Sequence, residues 1–324
     1  MKKRIVFFGT PGFAAAVLER LYHAGYEITA IVTQPDKPVG RHMTLTPPAA
    51  KIKALSLGIP VSQPSSVRTE EFLKQMQAWA PDLVITAAYG KILPAAVLDV
   101  PVIGCLNVHA SLLPRYRGAA PVQWSILNGD HVTGITIMKI DAGIDTGDIL
   151  RQRECSIDQN ETTNELMGRL AEIGGELLIE TLTLYLEGKL ASIPQDNNLA
   201  TLSPPIQKEQ GLIDWTDISD KIHNQIRALT GWPGAYTYLD GSRFKIYGSI
   251  IPENEKELLS IYEEDYEKPL PGTIIRGEKS GIYVACGAGC IVLTSVQPQS
   301  CRRMHAHECG HNYRVGTRFD REKK

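Results

Sequence analysis

Two polar side chains, Asn107 and His109, end an otherwise apolar segment of the chain, Gly104–His109. Residues two apart on a strand project from the same face, so the two side chains share one face if the segment is extended. They lie at its carboxyl end, where open α/β sheets bind their ligands. An amide donor beside an imidazole is suited to acyl or formyl transfer, because one group binds a developing oxyanion and the other moves or stabilises a proton. A buried histidine with a purely structural role is the competing interpretation.

The segment Asp141–Asp148 places three carboxylates among two glycines. A turn with solvated aspartates is one interpretation of this composition. A calcium loop is another, although the spacing departs from the calcium pattern and the closing Glu is absent. In a catalytic interpretation one of the aspartates polarises His109. Spacing along the chain does not decide whether these groups meet, so the alternatives stay open.

The sequence His307-Glu308-Cys309-Gly310-His311 has the H-E-x-x-H spacing of zinc proteases. That motif requires a stable helix, which Gly310 weakens. A structural zinc site is an alternative, because several cysteines lie near these histidines: Cys286, Cys290, Cys301 and Cys309. Their spacing repeats no familiar zinc pattern. We therefore predict ordinary surface residues here and no metal site.

The loop Gly9–Gly12 follows the first apolar segment, where dinucleotide-binding proteins carry a glycine-rich phosphate loop. It lacks the G-x-G-x-x-G spacing, and Pro11 removes a backbone N–H that a phosphate needs. The chain has no Walker sequence either. We predict a strand-to-helix turn here and no nucleotide-driven chemistry.

The elements that position these residues alternate between short apolar segments and helical patterns in the first half of the chain. The predicted strands are Arg4–Gly9, Glu27–Thr33, Leu83–Ala87, Gly104–His109, Gly134–Ile140 and Ile149–Cys155. The predicted helices are Ala14–Ala24, Lys51–Leu57, Glu70–Trp79, Val122–Leu127 and Thr163–Leu186. Such alternation indicates an α/β domain with right-handed βαβ units and a mostly parallel sheet.

The second half of the chain has a different pattern. Between Glu187 and Gln207 the composition is typical of a linker, with Gly, Ser, Asn and a Pro204-Pro205 pair. A predicted helix, Ile218–Leu229, follows, and then short β-type segments: Ala235–Leu239, Arg243–Ile250, Gly272–Arg276, Gly281–Ala285 and Cys290–Val296. Many short strands separated by Gly, Pro and charge indicate a small barrel. We therefore expect domains at residues 1–188 and 207–324, joined by a linker at 189–206.

The 324 residues are 43% hydrophobic and 22% charged, which fits a globular protein of two domains and excludes disordered, collagen-like and coiled-coil chains. The net charge of −2 does not by itself indicate a nucleic-acid partner. The tail from Arg302 is basic, however, and fits either a nucleic-acid backbone or a solvated surface. Six cysteines are too few for a disulfide scaffold. No segment approaches the ~20 apolar residues of a membrane span, so we expect a cytoplasmic protein.

One long segment carries a resemblance to a known family. The run Asn107-Val-His109-Ala-Ser-Leu-Leu-Pro-Arg-Tyr-Arg-Gly-Ala-Ala-Pro121, with Thr133–Met138 and Asp141–Asp148, resembles the folate-dependent formyltransferase family. Further matches narrow the resemblance to the members that act on methionyl-tRNA, and cover essentially the whole chain: Gly9-Thr-Pro11, Thr33–Pro38, Ile213-Asp-Trp215, Trp232–Ala235 and Gly287–Gln297.

The resemblance implies an enzyme of translation initiation. It transfers a formyl group from the co-substrate 10-formyltetrahydrofolate to the amino group of methionine on initiator methionyl-tRNA, without a metal. The implied fold is a Rossmann-like catalytic domain joined to a smaller C-terminal OB-like β-barrel that helps to hold the tRNA. We expect a monomer.

The resemblance also implies roles for individual residues. Asn107, His109 and Asp145 match the catalytic trio of the family. Asn107 donates to the carbonyl oxygen as it becomes tetrahedral, and His109, held protonated by Asp145, stabilises the same charge. Asp145, directly or through water, takes the proton lost by the amine. The segment Ser111-Leu112-Leu113-Pro114 matches the tetrahydrofolate-binding segment.

A long loop, Gln34–Pro48, matches the family's loop beside the tRNA acceptor stem, and Arg41 is its candidate tRNA contact. The residues His42-Met43-Thr44 stand where members of the family are commonly richer in glycine and lysine. We therefore expect fewer phosphate contacts from this loop. The tail from Cys301 also departs from the family, with histidines and a cysteine where apolar residues are usual.

Other functions compete with this interpretation. A sugar-nucleotide formyltransferase shares the Asn, His and Asp residues, but Arg117–Pro121 and the barrel favour tRNA. A formyltetrahydrofolate hydrolase needs no basic barrel. An RNA-binding protein without enzymatic activity explains the basic tail, but leaves the first domain without a role.

Overall fold

A computed structural model describes residues 3–40, 43–254, 258–260, 262, 268–278 and 280–320. The chain divides into two compact units. The first contains residues up to Pro121 together with Val132–Ser156 and Met167–Pro204. The second contains Val122–His131, Ile157–Leu166 and the residues from Pro205 onward.

The first unit is built on a seven-stranded sheet in the order β10-β9-β7-β6-β1-β2-β5. The strands up to the end of this unit are β1 (Arg4–Gly9), β2 (Glu27–Val32), β3 (Lys37–Val39), β4 (Thr44–Thr46), β5 (Val61–Ser62), β6 (Leu83–Ala87), β7 (Gly104–His109), β8 (Arg117–Gly118), β9 (Val132–Lys139), β10 (Ile149–Ser156) and β11 (Leu202–Ser203). Strands β5, β2, β1, β6 and β7 run parallel, whereas β9 and β10 complete one edge antiparallel. The predicted mostly parallel sheet is confirmed.

Helices cover this sheet. The helices of this unit are α1 (Gly12–His23), α2 (Ala49–Ser56), α3 (Glu70–Trp79), α4 (Ala95–Leu98) and, from Met167 onward, α6 (Thr163–Leu186). Helix α5 (Pro121–Leu127) belongs to the second unit from Val122 onward. Strand β1 does not alternate between polar and apolar residues, because it is a central strand and its residues Ile5–Phe8 are fully buried. Gly174 of α6 allows close approach to the sheet, since a Cβ there would lie 3.0 Å from Val108 of β7. No helix in the described ranges is long and apolar enough to cross a membrane.

The second unit contains a separate antiparallel sheet. Its strands are β12 (Ala235–Leu239), β13 (Ser242–Ile250), β14 (Ile274–Glu278), β15 (Gly281–Ala285), β16 (Cys290–Pro298) and β17 (Met304–His305), in the order β12-β13-β16-β15-β14 with β17 on β16. Helix α7 (Ser219–Ala228) packs Ile222 and Ile226 into its core, and a one-turn helix, α8 (Ala306–Cys309), follows β17. The prediction of a separate second region of short strands is thus confirmed, and these strands form an antiparallel sheet.

The structure differs from the predicted elements in several places. It adds β5, α4, β8 and β11, and it shifts the ends of several other elements by one or two residues. The predicted strand Gly272–Arg276 begins at Ile274, because Gly272 has a φ of +89° and Thr273 bridges to Arg318. The loop Gln34–Pro48 contains the hairpin β3–β4, which the sequence pattern did not predict. Three-residue strands are too short to show a period.

Candidate active site

The carboxyl end of β7 brings two predicted residues, Asn107 and His109, to one edge of the sheet. In the strand register, Asn107 lies beside Thr86 of β6, and His109 lies beside Thr136 of β9. His109 is buried and Asn107 is half-buried. Both side chains therefore lie where an α/β sheet presents its ligand site.

Asp145, from the loop between β9 and β10, meets both of these side chains. Its Oδ2 lies 3.5 Å from His109 Nδ1, and its Oδ1 lies 3.4 Å from Asn107 Nδ2. The Asp145 side chain is 17% exposed, so it is mostly buried but remains accessible to solvent. The structure thus brings the predicted trio together, and the catalytic role of each residue stays a prediction.

The imidazole of His109 is held from its other side by the chain that follows. Its Nε2 lies 3.0 Å from the carbonyl oxygen of Tyr116. A carbonyl oxygen only accepts, so Nε2 carries a proton and donates. Nδ1 then faces the Asp145 carboxylate, with Oδ2 at 3.5 Å.

Sequence reasoning missed Thr86, which fixes the amide of Asn107. The Thr86 hydroxyl donates to Asn107 Oδ1 at 2.6 Å. Because the amide oxygen is engaged there, Nδ2 is the end of the amide that faces Asp145. The signal in the sequence is a single hydroxyl residue within the apolar strand LVITA, at a position that is 7% exposed.

The loop that carries Asp145 has a defined internal structure. Asp141 Oδ1 accepts from the backbone N–H of Gly143 at 3.0 Å and from the Thr146 hydroxyl at 2.7 Å. Asp145 has a φ of +54°, a left-handed conformation that Asp tolerates better than most residues. Its Oδ2 also accepts from the backbone N–H of Gly118 at 2.9 Å.

The three carboxylates of this loop serve different partners. Asp141 orders the loop, Asp145 faces the trio, and Asp148 accepts from the Ser192 hydroxyl at 2.7 Å. Within the described residues, no cluster of three or more His, Cys, Asp or Glu side chains is arranged to hold a metal ion. His307 and His311 do not share a continuous α-helix, because α8 ends at Cys309 and a 3₁₀ turn follows.

The predicted folate segment, Ser111–Pro114, runs directly from β7. Ser111 and Leu113 are buried, while Leu112 and Pro114 are half-buried. The backbone N–H of Leu113 donates to Thr136 Oγ1 at 3.1 Å, and the Leu113 carbonyl accepts from Gln152 at 2.8 Å. The backbone of this segment is therefore fixed against β9 and β10, and two of its four side chains stay accessible.

The predicted tRNA contact, Arg41, lies outside the described residues. The base of its loop is anchored by Asp36, which accepts from Lys51 at 2.8 Å and from Gln63 at 2.8 Å. The hydrogen bond from Lys51 and, to a smaller extent, the one from Gln63 lower the pKa of the Asp36 carboxyl.

Comparison with known proteins gives consistent matches. A family model described as formyl transferase matches residues 3–182, and one described as formyl transferase, C-terminal domain, matches residues 205–314. A relative named methionyl-tRNA formyltransferase from Geobacter sulfurreducens is 44% identical, covering 98% of this chain and 96% of its own. One of the same name from Acetivibrio thermocellus is 46% identical, covering 97% of this chain and 98% of its own.

Solved structures share the fold at lower identity. HypX from Aquifex aeolicus in complex with tetrahydrofolic acid has a TM-score of 0.65 at 15% identity, covering 95% of this chain and 47% of HypX. This chain therefore spans about half the length of HypX. An N-formyltransferase from Helicobacter canadensis, in complex with folinic acid and dTDP-3-aminofucose, has a TM-score of 0.64 at 18% identity. It covers 92% of this chain and 100% of its own.

Proposed function

The chain belongs to the formyl transferase family, and from this premise we propose that it transfers a formyl group from 10-formyltetrahydrofolate to the methionine amine of initiator methionyl-tRNA. The relatives named for this activity match the chain along nearly its whole length. The structural observation that carries the proposal is the Asp145 carboxylate, which faces both Asn107 Nδ2 and His109 Nδ1.

In the proposed reaction the amine nitrogen attacks the formyl carbon, and the carbonyl oxygen gains negative charge. Asn107 Nδ2 donates to that oxygen, because Thr86 engages the other end of the amide. His109 supplies positive charge at short range, with its Nε2 3.0 Å from the Tyr116 carbonyl oxygen and its Nδ1 3.5 Å from the Asp145 carboxylate. Asp145 takes the proton that the amine loses. The bond between the formyl carbon and the folate nitrogen then breaks, and that nitrogen takes up a proton.

Ser111–Pro114 is the proposed folate contact. Its fixed backbone and the partial exposure of Leu112 and Pro114 support this role, since a preformed segment loses little entropy on binding. HypX has been solved with tetrahydrofolic acid, but at 15% identity that likeness concerns the fold alone. The proposed reaction uses no metal.

The second unit is the proposed tRNA-binding domain, with an OB-like barrel. Residues near the C-terminus support a barrel, because Asp320 bridges to Tyr238 of β12 and Arg318 bridges to Thr273 just before β14. One short segment thus pairs with both edges of the sheet. The division into 1–188, a connecting segment 189–206 and 207–324 belongs to the same proposal, as do the tRNA contact of Arg41, a monomeric state and a cytoplasmic location.

Basic side chains stacked on tyrosines support nucleic-acid binding by this unit. The Arg243 guanidinium lies 3.8 Å from the centre of the Tyr236 ring, and that of Arg303 lies 4.5 Å from the centre of the Tyr247 ring. Lys245 follows on the same face of β13 as Arg243. Cations and aromatic rings on one sheet face suit a sugar-phosphate backbone and unpaired bases.

The experiment is a formylation assay with 10-formyltetrahydrofolate and charged initiator tRNA. We expect formylmethionyl-tRNA and tetrahydrofolate in equal amounts. Folate turnover without a tRNA product indicates a hydrolase, and a preference for an amino sugar nucleotide indicates a sugar formyltransferase. Either result contradicts the proposal, as does tRNA binding with no turnover.

A further inference from the structure

A segment whose composition predicts a linker packs against the candidate active site. It lies between the two parts of the chain that the family models match, 3–182 and 205–314. Its side chains bind residues around the trio at several points: Ser192, Gln195, Asn197, Thr201 and Ser203. Ser203, for example, donates to the same Tyr116 carbonyl that accepts from His109. The segment thus belongs structurally to the site.

Gln195 makes the most specific of these contacts. Its Nε2 donates to the carbonyl oxygen of Asp145 at 2.9 Å and to that of Gly147 at 2.7 Å. Its Oε1 accepts from Nε and Nη2 of Arg117, at 3.0 and 2.8 Å. Both ends of the amide are therefore engaged.

Arg117 dictates which way this amide points. Its side chain is buried, at 8% exposure, and its guanidinium also donates to Asn197 Oδ1 at 2.9 Å. A guanidinium only donates and a carbonyl only accepts, so the amide of Gln195 fits in one orientation alone. Rotating it by half a turn would set N–H groups against the guanidinium and an oxygen against two carbonyls.

The contact matters for Asp145 because the backbone there is left-handed, with a φ of +54°. A non-glycine residue in that conformation persists where its surroundings hold it. Gln195 holds the carbonyls on both sides of Thr146, which sets the direction in which the Asp145 carboxylate projects. Gly118 fixes only the carboxylate itself.

We propose that Gln195, oriented by Arg117, is a positioning residue that holds Asp145 toward Asn107 and His109. This inference rests on the catalytic role given to Asp145 in the proposed function. Gln195 does not touch the reacting atoms, and it acts through the loop alone.

The test removes the N–H groups of the Gln195 side chain and keeps an oxygen at the end that faces Arg117. Gln195→Glu retains an acceptor oxygen for Arg117 but removes both N–H donors to the loop. Asn197→Asp is the matched control, because it makes the same chemical change against the same guanidinium without touching the loop. We expect Gln195→Glu to lower kcat about 10- to 10²-fold, since misplacing a catalytic group by ~1 Å can cost that much. The KM values should match those of Asn197→Asp.

A double variant tests whether Gln195→Glu lowers the rate by displacing Asp145. In an Asp145→Asn background, measured by single turnover, Gln195→Glu should lower the rate less than about threefold, because residues acting as a unit are not additive. Full multiplication of the two losses overturns the proposal, as does a Gln195→Glu enzyme equal to Asn197→Asp. If Gln195→Glu does not fold, Gln195→Met tests the same loss without a new charge. Wild-type activity of Asp145→Asn itself refutes the proposed role of Asp145, a failure separate from that of Gln195.

Discussion

Replacing Thr86 with valine tests whether the orientation of the Asn107 amide matters for catalysis. The hydroxyl of Thr86 donates to Asn107 Oδ1 at 2.6 Å, and valine removes that donor while keeping the branched shape of the side chain. Without it, the Asn107 amide loses the hydroxyl donor that holds Oδ1 on the β6 side. The amide can then turn its oxygen toward the forming oxyanion, where it repels.

The expected loss in kcat follows from the free energy that one hydrogen bond contributes. A neutral hydrogen bond contributes a net ~1 kcal/mol, which corresponds to about a fivefold loss in kcat. Losing an oxyanion donor entirely costs about 10²–10³ in kcat, and that value sets the ceiling for Thr86→Val. We expect the KM for either substrate to change little, because Thr86 orients a group that acts in the transition state.

Thr133→Val is a matched control for this variant. Thr133 lies on β9 of the same sheet and is 3% exposed, but its hydroxyl has no hydrogen-bond partner among the described residues. Its replacement should leave kcat unchanged and leave the melting temperature equal or higher, since an unsatisfied buried hydroxyl is destabilising. The Thr86→Val and Thr133→Val enzymes are compared by formylation kinetics in which the concentrations of both substrates are varied. A Thr86→Val enzyme as active as Thr133→Val refutes the reasoning.

Other parts of the molecule give further predictions. Burial lowers the pKa of His223. Below pH ~6.5 the unfolded chain therefore binds a proton that the folded chain does not bind. Urea unfolding should therefore show stability falling as pH decreases below that value, and His223→Gln should flatten the decline. Gly118→Ala should reduce both activity and stability, because φ is +126° and its Cβ would lie 2.7 Å from Ser203 O; normal activity counts against the β8–β11 contact. Iodoacetamide should label exposed Cys301 first and Cys105 last, since burial raises the pKa of the Cys105 thiol to about 12. Equal labelling in peptide mass spectrometry disagrees with this structure.

The main elements could be predicted because their patterns are local. Arg4–Gly9 and Leu83–Ala87 are continuous apolar strands, and their observed bounds equal the predicted ones. Helix α3 likewise starts after Thr69, whose hydroxyl accepts from the Phe72 N–H at 3.3 Å. It ends where Ala80 takes a left-handed conformation.

The supports of the site could not be predicted, because they depend on contacts between distant segments. Strands β8 and β11 have two residues each and show no period, yet they hold the chain between Tyr116 and Gly118. Gln195 lies among polar residues whose composition resembles a linker, and its partners are far away in the sequence. Only the family resemblance identifies Asp145, because spacing alone does not distinguish it from Asp141 and Asp148.

The central claim is that Asn107, His109 and Asp145 act as one unit in formyl transfer, and one kcat comparison tests it most directly. His109→Ala and Asp145→Ala should each lower kcat by about 10²–10³ or more. The His109→Ala/Asp145→Ala double variant, with folding intact, should be little worse than its poorer parent, because groups that act together do not lose their contributions independently. A double variant in which the two losses multiply fully, or an Asp145→Ala enzyme close to wild type, contradicts the claim.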